Sequence, residues 1–240
     1  MEPPEMPPRP RSPLLSIPDD RSSRWALLSS LIAEWYRPLS GGDGFPIAAL
    51  DACEKRLSTR LPAAMREWYG LAGRREDVWN CQDTLLSPDE LIVEGGVLQF
   101  YVENQAVTSW GMRSDNLNLP DAPVVVRNEQ RLWVVQSSRL SEFALHMFAC
   151  IFQFGHHSAQ IRGYAPQSCV DRIVSQLPKL AFPEFVRTHA RLFGFADLLV
   201  SVDGADHVSA SARGPEGIAT FRTLIDGSDF EILQETDDFA

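Results

Sequence analysis

The sequence predicts an α+β fold, with N-terminal helices packed on a mainly antiparallel sheet and a C-terminal α/β extension. Three observations predict it. Apolar residues recur at helical spacing between Arg24 and Ala72. Short alternating runs joined by polar turns, with no helical crossovers, follow between Leu98 and Val135; local hairpins of that kind pair antiparallel. After Phe154 helices and strands mix again, with no Gly-, Ser- or Pro-rich linker before them.

The elements follow in order. Pro3, Pro4, Pro7, Pro8, Pro10, Pro13 and Pro18 remove backbone donors and favour extended chain. Residues 1–22 are therefore expected as a disordered tail and residues 23–240 as a single domain, with a core over about 45–155 and an extension over about 160–240. Leu28, Leu31, Ile32 and Trp35 sit at i, i+3, i+4 and i+7 and predict a helix from Arg24 to Tyr36. Gly41-Gly-Asp-Gly44 reads as a turn. Pro46 suits the first position of a second helix, where its missing donor costs nothing, and Ile47, Leu50 and Leu57 supply its apolar stripe. Pro62 opens a third, with Met65, Trp68, Tyr69 and Ala72 at the same spacing.

A hairpin follows. Leu98, Phe100 and Val102 point to one face and Gln99, Tyr101 and Glu103 to the other, since strand side chains alternate. Glu103-Asn-Gln105 marks the reversal, where Asn tolerates left-handed backbone. Val124 to Arg127 and Arg131 to Val135 are two more strands, joined through Asn128-Glu-Gln130. Ser138 or Ser141 is expected to cap the next helix, which buries Leu140, Ala144, Met147, Phe148 and Ile151 and turns His146 to its polar side. In the extension, Cys169 to Leu180 and Pro183 to Phe193 read as helices. Leu198 to Val202 and Val208 to Ala212 read as strands joined through Asp203-Gly204, a hairpin dipeptide. Ile218, Phe221 and Ile225 mark a short helix after Pro215, and Phe230 to Leu233 a final strand.

Composition bounds the chemistry. The chain has 240 residues, 44% hydrophobic and 22% charged, with a net charge of −10, ordinary for a globular protein. No run of about 18 apolar residues suggests a membrane span, and no apolar leader suggests export, so a cytoplasmic protein is expected. Cys53, Cys81, Cys150 and Cys169 are scattered without a Cys-x-x-Cys pair and are expected as buried or half-buried free thiols. His156-His157 lacks further ligands at metal spacing. No Gly-x-Ser-x-Gly elbow or phosphate-cradling loop is present. Asp121 as an acid–base partner of Glu103 has no nucleophile or metal to act on. No catalytic residue, metal site or cofactor is therefore assigned.

From Phe193 onward ten acids face only Arg213 and Arg222. Such a surface repels nucleic acid and attracts a basic partner, or simply keeps the chain soluble. Glu103, Asn104 and Gln105 have two readings as well: their side chains fix their own turn, or they project as a binding surface. Trp110 reads as a core residue.

The order of these pieces carries a resemblance. Ala49 to Leu57 followed by Leu61 to Tyr69, then Ser87-Pro-Asp-Glu-Leu91, then the hairpin with Glu103-Asn-Gln105 and Trp110-Gly111, then Asp121-Ala-Pro-Val, Leu132-Trp133 and Ser138 to Phe143, together resemble the SUKH superfamily. That group contains the yeast cell-wall-assembly regulator homologues and many bacterial immunity proteins. The resemblance covers roughly residues 45 to 155 and departs from the family pattern at Ala122, where a second proline is more usual. It implies a non-enzymatic immunity protein that binds and neutralises a cognate toxin, commonly a nuclease, in the bacterial cytoplasm. The alternative is an intracellular scaffold or regulatory module of the same family with no toxin partner. The partner-binding candidates are Glu103, Asn104, Gln105, Asp226, Asp229 and Glu231, facing a basic protein rather than nucleic acid or membrane. The oligomeric state is left open.

Overall fold

A computed structural model describes residues 9–155 and 159–239. These form two compact units, Pro18–Gly155 and a second whose described residues are 9–17 and 159–239. Residues 23–240, expected as one domain, contribute to both units. Each unit has its own sheet. The class is α+β, with every strand pair antiparallel.

In the first unit α1 (Arg21–Trp35) starts where the Asp20 carboxylate accepts the Ser23 backbone N–H at 2.8 Å. It buries Trp25, Leu28, Leu31, Ile32 and Trp35. Next come α2 (Ile47–Leu57) and α3 (Ala63–Ala72), with Pro46 and Pro62 each one position ahead of the first helical residue. The apolar stripe of α2 is narrower than the spacing suggests: Leu50 and Cys53 are buried, but Ile47 is 71% exposed. A one-turn helix α4 (Glu76–Trp79) follows, too short for any periodicity to reveal.

The sheet comprises β1 (Thr84–Leu85), β2 (Ile92–Glu94), β3 (Val97–Val102), β4 (Ser109–Arg113), β5 (Val124–Arg127) and β6 (Trp133–Ser137). Its order is β1-β3-β4-β5-β6, with β2 also on β3. The β3–β4 ladder shifts register between Gln99 and Tyr101. A bulge re-phases a strand, so Tyr101 does not face outward as simple alternation requires. It is fully buried, its hydroxyl donating to the Trp79 carbonyl at 2.6 Å. Helix α5 (Leu140–Ile151) packs with this sheet through Phe143, whose ring lies 5.7 Å from Phe100 and 6.3 Å from Trp110. Trp110 is a core residue, 4% exposed.

Two details of α5 differ from expectation. Every residue except Glu142 is buried, so His146 is 1% exposed instead of polar-facing, and burial pushes its pKa down to about 3. Neither Ser138 nor Ser141 caps the helix. The Ser138 hydroxyl donates to Glu142, and the Ser141 backbone N–H donates to Asp121 at 2.9 Å. The cap comes from a residue remote in sequence.

The second unit contains β7 (Ala159–Tyr164), α6 (Gln167–Gln176), β8 (Arg191–Phe195), β9 (Leu198–Asp203), β10 (His207–Ala212), α7 (Pro215–Ile225) and β11 (Glu231–Asp237). The sheet order is β11-β7-β10-β9-β8. Ile161, Val200, Val202, Val208, Ile218, Phe221 and Leu224 form its core with Cys169 and Ile173. Gly204 holds φ at +61° in the β9–β10 turn, the conformation for which glycine is suited. The helix expected over Pro183 to Phe193 does not form. Tertiary pairing overrides local preference: the Leu180 N–H bonds the Leu192 carbonyl at 2.8 Å, Lys179 bridges Phe193, and Arg191–Phe195 pairs with β9. The same pairing, with Pro178, ends α6 at Gln176 rather than Leu180.

The proline-rich segment is also different where it is described. Pro13–Leu15 form a turn of 3-10 helix whose Ser12 hydroxyl accepts the Leu14 N–H at 3.2 Å, and Leu14 is fully buried. Ala196 and Ala181 donate backbone N–H bonds to the carbonyls of Pro10 and Leu14 at 3.0 and 2.9 Å. Arg9 pairs with Asp197 and donates to the Glu216 carbonyl and the Thr220 hydroxyl, both at 3.0 Å. Proline removes donors but leaves carbonyl acceptors, and this docking uses acceptors. The prolines before Arg9 lie outside the described residues, and residues 18–20 lead into α1, which includes Arg21 and Ser22.

Candidate functional site

The six candidate residues fall in different units. Glu103, Asn104 and Gln105 belong to the first, while Asp226, Asp229 and Glu231 belong to the second.

At the β3–β4 reversal, the Glu103 carboxylate accepts the backbone N–H groups of Gln105 and Val107 at 3.0 and 3.2 Å. The Ala106 N–H closes on the Glu103 carbonyl at 2.7 Å. Glu103 therefore holds the turn. The left-handed residue is Ala106, at φ +56°, not Asn104; the bonds around it over-determine a conformation that alanine alone disfavours. Asn104 and Gln105 are exposed at the tip. The structure adds a neighbour that sequence reading missed. Asp83 accepts the Asn104 backbone N–H, and burial, with Glu103 adding like charge, raises its pKa to about 6. Asp83 lies twenty positions upstream in an irregular stretch, so no spacing signal marks it.

In the second unit the acids surround α7 and β11. Asp226 is the C-terminal boundary of α7, and Asp229 and Glu231 follow across a short connection into β11. All three are exposed. Two anchors hold this connection. Phe230 packs edge-on to Phe221 at 6.0 Å, and Arg172 donates to the backbone carbonyls of Leu224 and Asp226 at 3.1 and 2.8 Å. Farther along, Glu235 and Asp237 are both bonded by Arg222, at 2.7 and 2.8 Å. By contrast, the carboxylates of Asp226, Asp229 and Glu231 pair with no described side chain. An acid at a helix C-terminus also opposes the helix dipole, at a cost of about 0.3–1 kcal/mol for a surface group.

Other titratable groups are arranged structurally. The Ser201 hydroxyl donates to Asp203 at 2.8 Å, while the other Asp203 oxygen lies 3.5 Å from Nδ1 of His207. The serine faces the carboxylate and not the imidazole, the reverse of a nucleophile-and-base pair. Asp43 is held by Arg37 at 2.5 and 2.8 Å and by the Ser40 N–H, which keeps its carboxyl well below the usual range. Gly41-Gly-Asp-Gly44 is a structural turn, and Gly44 approaches the Gly70 carbonyl so closely that no side chain fits. Cys53 and Cys169 are buried free thiols, Cys150 is buried and Cys81 is half-buried. His156 and His157 lie outside the described residues. Among the described residues, no helix is long and apolar enough to cross a membrane.

No protein-family model, curated protein or solved structure matches the chain.

Proposed function

We propose that this is a binding protein of the immunity class, which neutralises a cognate bacterial toxin by occupying it, in the cytoplasm and without catalysis. The observation that carries the reading is the set of exposed, unpaired carboxylates of Asp226, Asp229 and Glu231 on a braced connection. Asp226 opposes the α7 dipole, so helix stability does not account for its charge. Toxins that cut nucleic acid present basic grooves, and an opposite charge speeds and selects the encounter. The sequence resemblance to the SUKH superfamily over roughly residues 45 to 155 supports the same class.

The test is capture of the full chain's partner from its native cytoplasm, followed by expression of that partner alone and with the protein. A partner that is toxic alone, and is inhibited at one-to-one stoichiometry, supports the proposal. A non-toxic partner assigns the protein to the scaffold or regulatory alternative. Turnover abolished by a single side-chain change overturns both.

A further inference from the structure

The two edges of the second unit's sheet are treated differently by the chain itself. At the β8 edge the chain covers its own strand: Leu180 and Gly194 exchange backbone bonds with Leu192 and Pro178 at 2.8 and 3.0 Å, and Lys179 bridges Phe193. At the other end of the sheet is β11. Residues 231–236 are all exposed, so no described residue covers that strand. In an antiparallel pair every second residue turns its N–H and C=O away from its neighbour. Among the described residues, the outer side of β11 is therefore a row of unpaired backbone groups.

The protections on this edge are acids, Glu231, Glu235 and Asp237, and one register shift; acids repel another acidic strand but not a basic one. No proline or lysine lies in Glu231–Asp237. The register shift is confined to Ile232/Gln234, leaving Gln234 to Asp237 in continuous ladder with Arg162 to Ala159. Ile232 and Leu233 are 48% and 54% exposed, beside Tyr164 at 45% on the adjacent strand. This is the form of an acceptor for an added strand, with backbone bonds for affinity and side-chain contacts for selection.

Charge selects the occupant. Asp226, Asp229, Glu231 and Asp238 flank the strand as exposed acids without a described partner, and Glu235 and Asp237 share the single guanidinium of Arg222. A second β11 laid antiparallel against the first sets acid near acid, which is destabilising. Nucleic acid meets the same repulsion. We infer that the open edge of β11 takes an added strand from a lysine- or arginine-rich extended segment of a partner protein. This rests on the binding-protein reading above but not on the partner's being a toxin.

The probe is a labelled heptapeptide, Lys-Val-Lys-Val-Lys-Val-Lys, titrated into the full chain by fluorescence anisotropy, with amide hydrogen exchange read across β11. Two isomers carry N-methyl groups on either the odd or the even residues, and a fourth peptide replaces every lysine by glutamate. Binding is expected to slow exchange in Glu231–Asp237. One methylated isomer should bind at least about tenfold more weakly, the loss of one or two net hydrogen bonds, while the other binds like the parent. The glutamate peptide should not bind. The affinity should also fall between about 50 and about 200 mM salt, as exposed charges are screened.

Equal binding of both methylated isomers, unchanged exchange in β11, or binding of the glutamate peptide overturns the inference. So does dimerisation of the chain that itself protects β11, which assigns the edge to a second copy. The two readings separate cleanly. A toxin captured and inhibited while β11 stays unprotected removes the added strand and leaves the immunity function. Peptide addition with a non-toxic native partner does the reverse.

Discussion

Asp121 and Arg24 meet at 3.1 Å inside the first unit, with side chains only 14% and 2% exposed. The pair is closed by Ser141, whose hydroxyl accepts from Arg24 and donates to Asp121, both at 2.6 Å, while Asp121 also takes the Ser141 backbone N–H. Arg24 further donates to the carbonyls of Pro18 and Asp19 at 2.6 and 2.8 Å. One carboxylate thus ties α1 to the start of α5. Asp121→Ala leaves a buried guanidinium without its counter-charge and should destabilise by about 3–5 kcal/mol. Arg24→Met added to Asp121→Ala should recover part of that loss, because both charges leave together. A double-mutant cycle by urea denaturation measures the coupling, and additivity of the two single changes would refute it.

Trp110→Ala should cost about 3–5 kcal/mol, since it removes a large ring packed on Tyr101 and Phe143. A variant that melts like the parent but loses its partner would place Trp110 in an interface instead.

Residues 9–17 act as a part of the second unit. Leu14→Ala should destabilise that unit by about 2–5 kcal/mol, as for other buried leucines. Arg9→Ala should also weaken it, through its bonds to Asp197, Glu216 and Thr220. Removing residues 1–17 should therefore loosen amide protection in β9 and α7. Unchanged hydrogen exchange there would show that the segment contributes nothing.

The buried His146 gives stability a defined pH dependence. Its folded pKa is about 3 against an ordinary 6.5, so between these values the unfolded chain holds a proton that the folded chain does not. Stability is then lost as pH falls below about 6.5, by about 1.4 kcal/mol per unit. Asp83 works the other way: its folded pKa of about 6 lies above the usual 3.8, so it adds stability as pH falls across that window. Relative to the parent, His146→Leu should gain stability as pH falls from about 6.5 to about 4.5, and Asp83→Asn should lose it. Denaturation at several pH values checks both slopes, and parallel curves for parent and His146→Leu would exclude the histidine as their source.

Asp226→Asn, Asp229→Asn and Glu231→Gln together should slow association with the captured partner and flatten its salt dependence, with little change in melting temperature. Exposed charges act mainly on the approach and are screened beyond about 8 Å at physiological salt. Association rates at two ionic strengths provide the measurement; rates equal to the parent at both would leave these acids as solubilising surface.

Local signals in the sequence are sufficient for elements whose cause is local. The spacing of Leu28, Leu31, Ile32 and Trp35 marks α1, Asp203-Gly204 marks the β9–β10 hairpin, and the acidic excess after Phe193 needs only counting. Glu103 as the holder of its own turn is also local, since its partners lie two and four residues away. Contacts between distant residues decided the rest. A register shift against β4 buries Tyr101, Asp121 supplies the α5 cap that Ser138 suggested, and backbone pairing makes strand β8 from part of an expected helix. Carbonyls near the N-terminus dock on residues more than 160 positions later. Propensity and periodicity describe a segment in isolation. Burial, caps and edges belong to whatever that segment meets, so the protected β8 edge and the open β11 edge emerge only when the sheet is assembled.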